Sequence, residues 1–415
     1  MNNSLKKNSE CTPKRKNPVV IFGDNISAMG VIRGLRELEV DIYIVSDSGT
    51  GLAKYSRYVC DVFVLSPLLP DYAIKITEWI KSKFELKPIL MVAGNDDALM
   101  LLSQEYDLLC TCAIPTFPEW SVVNSVINKE IVNSVASDIG VPVIKTTSIK
   151  SYSELEFFFD GNSDVVYPLF LKCSLSRQFV DKYGTKGVIC NDKNEVINAY
   201  HEYDGFLGCL LIQDFLPGDI DEISAVLLVL NKESEVVSVA SNNKIRAAIR
   251  YGSTTLSSSY WHQKMVGDAI KLAEKSNYVG FVGVQFKYDP RSDDYKFLEI
   301  NGRFSVSVSL AQRCGINMSE MVYDIFTGGG YSKLKNVKRT HKDNILLWFP
   351  LSDVALIFQK RFYKSPLKYL SSLKGSGYII EPFSIKDPQP LLFELVKLIS
   401  RPFRRLIGYL KSTFF

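Results

Sequence analysis

The chain has 415 residues, 46% hydrophobic and 23% charged, with a formal net charge of +4 at pH 7. That length exceeds one compact core, so roughly two or three domains are expected, with the composition of an ordinary globular protein. The small positive excess gathers partly at Lys6, Lys7, Lys14, Arg15 and Lys16 and near the C-terminus, which argues against nucleic-acid binding by the body.

Eight cysteines are scattered, and only Cys110 and Cys112 are close, at a spacing that matches no common zinc pattern. A reducing, cytoplasmic setting is therefore expected. Three histidines, His201, His262 and His341, have no paired spacing, which weighs against a histidine metal centre or a catalytic triad. No apolar run approaches the ~20 residues that cross a bilayer. Residues 1–16 lack an apolar signal region and read as a disordered basic tail.

Residues 17–120 alternate short apolar runs with amphipathic stretches. Strands are predicted at Pro18–Phe22, Asp41–Val45, Val62–Leu65 and Ile89–Val92, which is the pattern of a parallel, Rossmann-like sheet flanked by helices. The turn Gly23–Gly30 is not GxGxxG, so hydride transfer loses its main support, and the turn can serve the fold alone. Asp96 and Asp97 follow the fourth strand, where open α/β sheets bind ligands; a helix N-cap pair is the alternative.

Residues 121–210 open with a helix and continue through a strand, Tyr167–Lys172, that ends in lysine. The polar segment Ser174–Gly187 follows, with Lys182, Gly184, Lys186 and Gly187, a composition suited to closing over phosphate or simply to a solvated loop. Residues 211–330 hold Gln213-Asp-Phe-Leu216, several antiparallel strands and the row Glu299-Ile-Asn-Gly-Arg303. Alternation puts Glu299, Asn301 and Arg303 on one face, where hard oxygen ligands can take Mg²⁺ and the guanidinium an anion; a strand edge with an ion pair is the alternative. Mixed α+β structure after a parallel front marks a second domain.

Residues 331–415 read as a strand at Asn344–Pro350, a helix at Leu351–Tyr363, a loop at Asp387–Pro390 and basic amphipathic helices thereafter. Lys397, Arg401, Arg404, Arg405 and Lys411 suit an anionic membrane surface at the inner face; packing on the body or on a homodimer partner competes with this.

In order and spacing, residues 18–330 resemble the ATP-grasp superfamily, whose members include biotin carboxylase, carbamoyl phosphate synthase and carboxylate-amine ligases. The resemblance implies an ATP-grasp fold preceded by a parallel-sheet domain. It implies that Lys129, after Asn128 where the family carries aspartate, Lys172 and Lys186 contact nucleotide phosphates. Gln213, Asp214, Phe215 and Leu216 resemble the stretch that holds adenine, and Asp221 the group that accepts from ribose. Asp214 is about one methylene, ~1.5 Å, shorter than the family glutamate, so the adenine contact rests mainly on backbone groups. Glu299, Asn301 and Gln285 match the Mg²⁺ positions, although Gln285 replaces an acid. Arg303 is implied to hold the reacting carboxylate or phosphate, with Lys244 and Arg246 as further candidates that ion pairs would also explain. The implied activity is ATP-dependent joining of a small-molecule carboxylate to an amine. A similar tail occurs on ATP-grasp proteins of cell-surface polysaccharide assembly, a pointer to a glycan precursor. The departures at Asn128, Asp214 and Gln285 also fit a nucleotide-binding regulator or scaffold without catalysis.

Overall fold

The computed structural model describes residues 16–161, 165–173, 179, 182–185, 187–203, 205–206, 209–218, 223–247, 254–335, 337, 342–357 and 366–398. Three sheets organise them. The first holds β1 (Val19–Phe22), β2 (Ile42–Ser46), β3 (Val59–Val64), β4 (Ile89–Val92) and β5 (Ile114–Pro115), all parallel, in the order β3-β2-β1-β4-β5. β1 and β4 are central and buried throughout, which is why VVIF and ILMV carry no polar residue. Strand order reverses between them, and the crevice beyond their carboxyl ends is the usual ligand position of such sheets.

Close backbone approach builds that crevice. Gly23 has φ +118°, and a side chain there would run into the Ala93 carbonyl. Asn25 caps α1 (Ile26–Leu35) by accepting from the Ser27 N–H at 2.9 Å and donates to the carbonyls of Ala93 (3.1 Å) and Gly94 (3.2 Å). One side chain thus satisfies a helix end and ties the β1 turn to the β4 turn.

The second sheet is small and antiparallel: β6 (Thr146–Ile149), β7 (Leu169–Cys173), β8 (Val188–Cys190) and β9 (Leu210–Asp214), ordered β6-β9-β7-β8. It buries Leu169, Leu171, Cys173, Leu210 and Ile212 against Leu155 of α7 (Tyr152–Asp160) and Val196 of the helix Lys193–Glu202. Strand alternation turns Phe170, Lys172, Leu211 and Gln213 to the other face. Because β9 belongs to this sheet, the small domain extends to Asp214.

The third sheet carries β10 (Ile223–Leu230), β11 (Val236–Ala247), β12 (Thr254–Ser259), β13 (Gly280–Asp289), β14 (Asp294–Asn301), β15 (Ile345–Trp348) and β16 (Gly377–Ile380), ordered β14-β13-β10-β11-β12-β15-β16. β10 is covered on both faces. Val226, Leu228 and Leu230 pack with Met265, Ala269 and Leu272 of the helix Gln263–Lys275, while Leu227 and Val229 face Val308 and Val322. The helices α5 (Trp120–Ile127) and α6 (Lys129–Asp138) place Val123, Val126, Val132 and Ala136 in the same core as Ile300, so they belong with the large sheet rather than with the small domain.

The C-terminal segment adds β15 and β16 to this sheet, β15 antiparallel to β12 and β16 parallel to β15. Two ion pairs clamp it. Arg33 of α1 meets Glu381 and the Pro382 carbonyl (2.8 Å), with Asp387 at 3.8 Å. Asp387, wholly buried, accepts from Ser56 Oγ and the Arg57 N–H, each at 2.9 Å. On the other side Arg246 pairs with the buried Asp353, lies 4.2 Å over the Tyr369 ring and also donates to Ser372. The helical residues 389–398 rest on the first domain through Phe393, stacked 4.2 Å from Tyr55. Arg401, Arg404, Arg405 and Lys411 lie outside the described residues. Among the described residues no helix is long and apolar enough to cross a membrane.

Breaking a buried ion pair leaves one charge uncompensated, an effect of order 3–5 kcal/mol. Glu381→Ala is accordingly expected to lower the melting temperature by several degrees and to speed tryptic cleavage at Lys386. An unchanged melting curve would show that the clamp contributes nothing.

Candidate active site between the sheets

The end of β4 and the segment after β14 are joined by main-chain bonds: the Phe304 N–H donates to the Val92 carbonyl and the Gly94 N–H to the Phe304 carbonyl, both at 2.9 Å. This bridge sets the crevice of the parallel sheet against the polar row at the end of β14. Glu299 and Gln285 are cross-strand partners, and Asn301 donates to Glu299 at 3.4 Å. A bulge that skips Leu298 resets the alternation between Phe297 and Glu299, so Ile300 enters the core while Glu299 and Asn301 stay half-buried on the cleft side.

Arg303 continues the row, but its guanidinium makes two bonds of 2.9 Å to the Asp96 carboxylate. The cap of α3 (Asp96–Gln104) is Asn95, which accepts from the Ala98 N–H at 3.0 Å. Asp96 is therefore not the cap that its sequence position suggests. Instead it orients Arg303 from the neighbouring domain, a bidentate geometry that a lysine could not copy.

Three groups from three elements meet over the row. Lys172 projects from the cleft face of β7, Lys129 begins α6, and Glu299 faces them. Burial pushes the Lys172 ammonium down to about 7; Lys129 pushes it the same way, and Glu299 opposes. Lys129 also stands at a helix N-terminus, where the dipole disfavours a cation, so this position is poor for stability and good for an anion. Asn128 caps that helix, accepting from Glu130 N–H (3.0 Å) and Ile131 N–H (3.3 Å), as an aspartate would.

On β9, Gln213 shares the cleft face with the partners of Lys172 and donates to Thr146 Oγ1 at 2.7 Å, while Asp214, one residue on, is on the side of Leu210 and Ile212. The linker beyond it is held by a residue that sequence reading missed. Lys287 of β13, 9% exposed, donates to the carbonyls of Leu216 (2.9 Å) and Gly218 (3.2 Å) and sits 5.8 Å from the Phe215 ring. A lysine between Phe286 and Tyr288, in a largely apolar strand, was the available signal. Lys186 and Asp221 lie outside the described residues. Arg246 is engaged by Asp353 and does not line the cavity described next, whereas Lys244, Gln285 and Arg303 do.

That cavity, of about 660 Å³, occupies the switch-point crevice. Asp24, Asn25 and Gly94 form its floor, the face of the large sheet its second side, and Phe349, Ser352, Glu381, Glu394 and Lys397 of the C-terminal segment its third. Among the described residues no cluster of three or more His, Cys, Asp or Glu side chains could hold a metal by itself.

The burial of Lys172 carries a stability signature. A lysine whose folded pKa lies near 7, against the ordinary 10.5, destabilises the fold fully below pH 7, and the cost fades as pH rises toward 10.5. Lys172→Met is expected to raise the ligand-free melting temperature most below pH 7. The gain shrinks above that by up to ~1.4 kcal/mol per pH unit. A gain that grows from pH 7 to 9 would refute the placement.

A family model described as "ATP-grasp in the biosynthetic pathway with Ter operon" matches residues 209–346. The chain is 24% identical over 322 residues to a D-aspartate ligase of Enterococcus faecium (strain Aus0004), covering 73% of this chain and 75% of that one. Among solved structures it is similar to Campylobacter jejuni biotin carboxylase in complex with β-γ-ATP, at TM-score 0.60 and 16% identity over 79% of this chain and 74% of that one. It is also similar to N5-carboxyaminoimidazole ribonucleotide synthetase of Thermus thermophilus, at TM-score 0.58 and 16% identity over 76% and 79%. The chain thus has an ATP-grasp fold of the biotin-carboxylase kind behind a parallel-sheet domain, and its residues 209–346 match an ATP-grasp family model.

Proposed function

We propose that the chain is an ATP- and Mg²⁺-dependent ligase that activates a carboxylate as an acyl phosphate and transfers the acyl group to an amine. The observation that carries this reading is the meeting of Lys129 and Lys172 from two different domains opposite Glu299. Two cations held near each other, one of them buried enough to lose its charge readily, suit a polyanion.

The donor set suits Mg²⁺ bound together with phosphate. Glu299, Asn301 and Gln285 offer one carboxylate and two amide oxygens, all hard ligands and too little charge to hold the ion alone, so phosphate oxygens complete the shell. Bound there, MgATP would supply the phosphoryl group that turns a carboxylate into an acyl phosphate, a mixed anhydride from which the amine displaces inorganic phosphate. The side chains contribute charge and orientation. Lys129 and Lys172 neutralise phosphate oxygens, and Arg303, aimed by Asp96, holds the reacting carboxylate with Lys244 beside it. The backbone of 213–216, fastened by Lys287, would receive adenine. Lys186 and Asp221, as phosphate and ribose groups, remain assignments from sequence. Arg246 is assigned to the clamp on the C-terminal segment. The name of the Enterococcus faecium relative favours an amino acid as the carboxylate substrate.

Pairwise panels of carboxylates and amines, followed by ADP release, test the reading. Turnover that depends on both substrates is expected, and Lys172→Ala or Glu299→Gln should lower it at least ~100-fold with the fold retained. Full activity of Glu299→Gln would remove the metal assignment.

A second expectation concerns the linker. Lys287→Met frees two carbonyls that a buried ammonium now holds, and MgADP affinity should fall about tenfold, ~1.4 kcal/mol, by calorimetry. Inorganic triphosphate should bind as before, and Lys287→Arg should restore part of the loss. Equal weakening of both ligands would mean a general disturbance of the cleft.

A further inference from the structure

The outer face of the C-terminal segment is apolar where a surface helix is usually polar. Of the eighteen large hydrophobic side chains exposed among the described residues, nine fall within residues 366–398. Single exposed apolar residues are ordinary, but such a concentration marks a contact surface.

The helical residues 389–398 are turned inside out. Glu394 and Lys397, 3.6 Å apart, line the cavity, and Phe393 is stacked on Tyr55 of the first domain. Leu392 and Val396, one turn apart on another face, are 57% and 64% exposed. The loop before them is fastened to Arg33 by Glu381 and Asp387, so the helix presents this apolar row outward in a fixed position. Packing on the body, one of the uses its sequence allowed, leaves the row uncovered.

The sequence that follows decides the partner. The spacing of four and three residues continues from Leu392 and Val396 through Ile399, Phe403, Leu406 and Leu410, the last four lying outside the described residues. From residue 388 onward the chain has one acid, Glu394, and five cations, Lys397, Arg401, Arg404, Arg405 and Lys411. A second copy docked on this row would bring like charges together. A nucleic acid would meet the cations and leave the apolar row in water. An anionic lipid surface satisfies both, with acyl chains against the row and headgroups against the cations.

We propose that the outer row of this helix is a peripheral docking face for an anionic lipid bilayer, with Leu392 and Val396 entering the interface. One helix then carries the lipid contact on one face and the cavity wall on another, ~10 Å apart. The proposal goes beyond the ligase reading and does not rest on it, since no group of the nucleotide site takes part.

The test is flotation of the full chain with vesicles of equal parts phosphatidylglycerol and phosphatidylcholine, and with phosphatidylcholine alone. Binding to the mixed vesicles is expected, and it should be roughly tenfold or more weaker on phosphatidylcholine alone. Leu392→Ser combined with Val396→Ser should weaken it roughly tenfold or more at an unchanged melting temperature, because both side chains are exposed. Arg404→Gln combined with Arg405→Gln should weaken it about tenfold. In Leu392→Trp, indole emission should move to shorter wavelength on addition of the mixed vesicles, relative to the parent chain, a reading that does not depend on loss of binding. Absence of wild-type binding, full binding by the double serine variant, or a Leu392→Trp chain that floats with unshifted emission would overturn the proposal. So would a dimer, seen by light scattering, that the double serine variant dissolves, since the row would then belong to a second copy.

Discussion

The short main-chain bridge between the end of β4 and Phe304 is the constraint on which the site depends. Two bonds of 2.9 Å hold the carboxyl edge of a parallel sheet against the end of an antiparallel one. Backbone groups buried at such a junction must find partners, and here they find each other. Everything chemical follows from that placement. Arg303 comes within reach of Asp96, the crevice opens onto Gln285 and Lys244, and a cavity of about 660 Å³ lies against the large sheet.

Charge is arranged around this junction against the interest of stability. Lys129 sits at the wrong end of a helix, Lys172 is half buried beside it, and one carboxylate faces both. Isolated, each feature is a small penalty; together they gather two cations around one carboxylate, the arrangement on which the proposed nucleotide site rests. By contrast, the buried charges of Arg33, Glu381, Asp353 and Arg246 are matched pair by pair. The two patterns set the ion pairs that hold the molecule together apart from the charges on which the proposed site rests.

The C-terminal segment is built onto both the large sheet and the first domain. It extends the large sheet by two strands, crosses to the first domain and brings Glu394 and Lys397 to a cavity that the other domains leave open on one side. Its docking relies on charged side chains drawn from α1 and β11, so removing it would also strand Arg33 and Arg246 in the interior.

Periodicity alone determined much of this protein. Apolar runs such as VVIF and ILMV are legible as central parallel strands because both their faces are buried, and alternation in LFLKC set Lys172 opposite the small-domain core. The order of motifs along residues 18–330 marked the fold, since each is a local pattern of spacing and polarity. Contacts between elements far apart in sequence were not legible. Nothing near Arg303 announces Asp96, nothing near Arg246 announces Asp353, and Lys287 shows only as a polar residue in an apolar strand. Whether a charged side chain binds a ligand or an ion-pair partner depends on what the chain brings within ~4 Å of it, and only tertiary packing decides that.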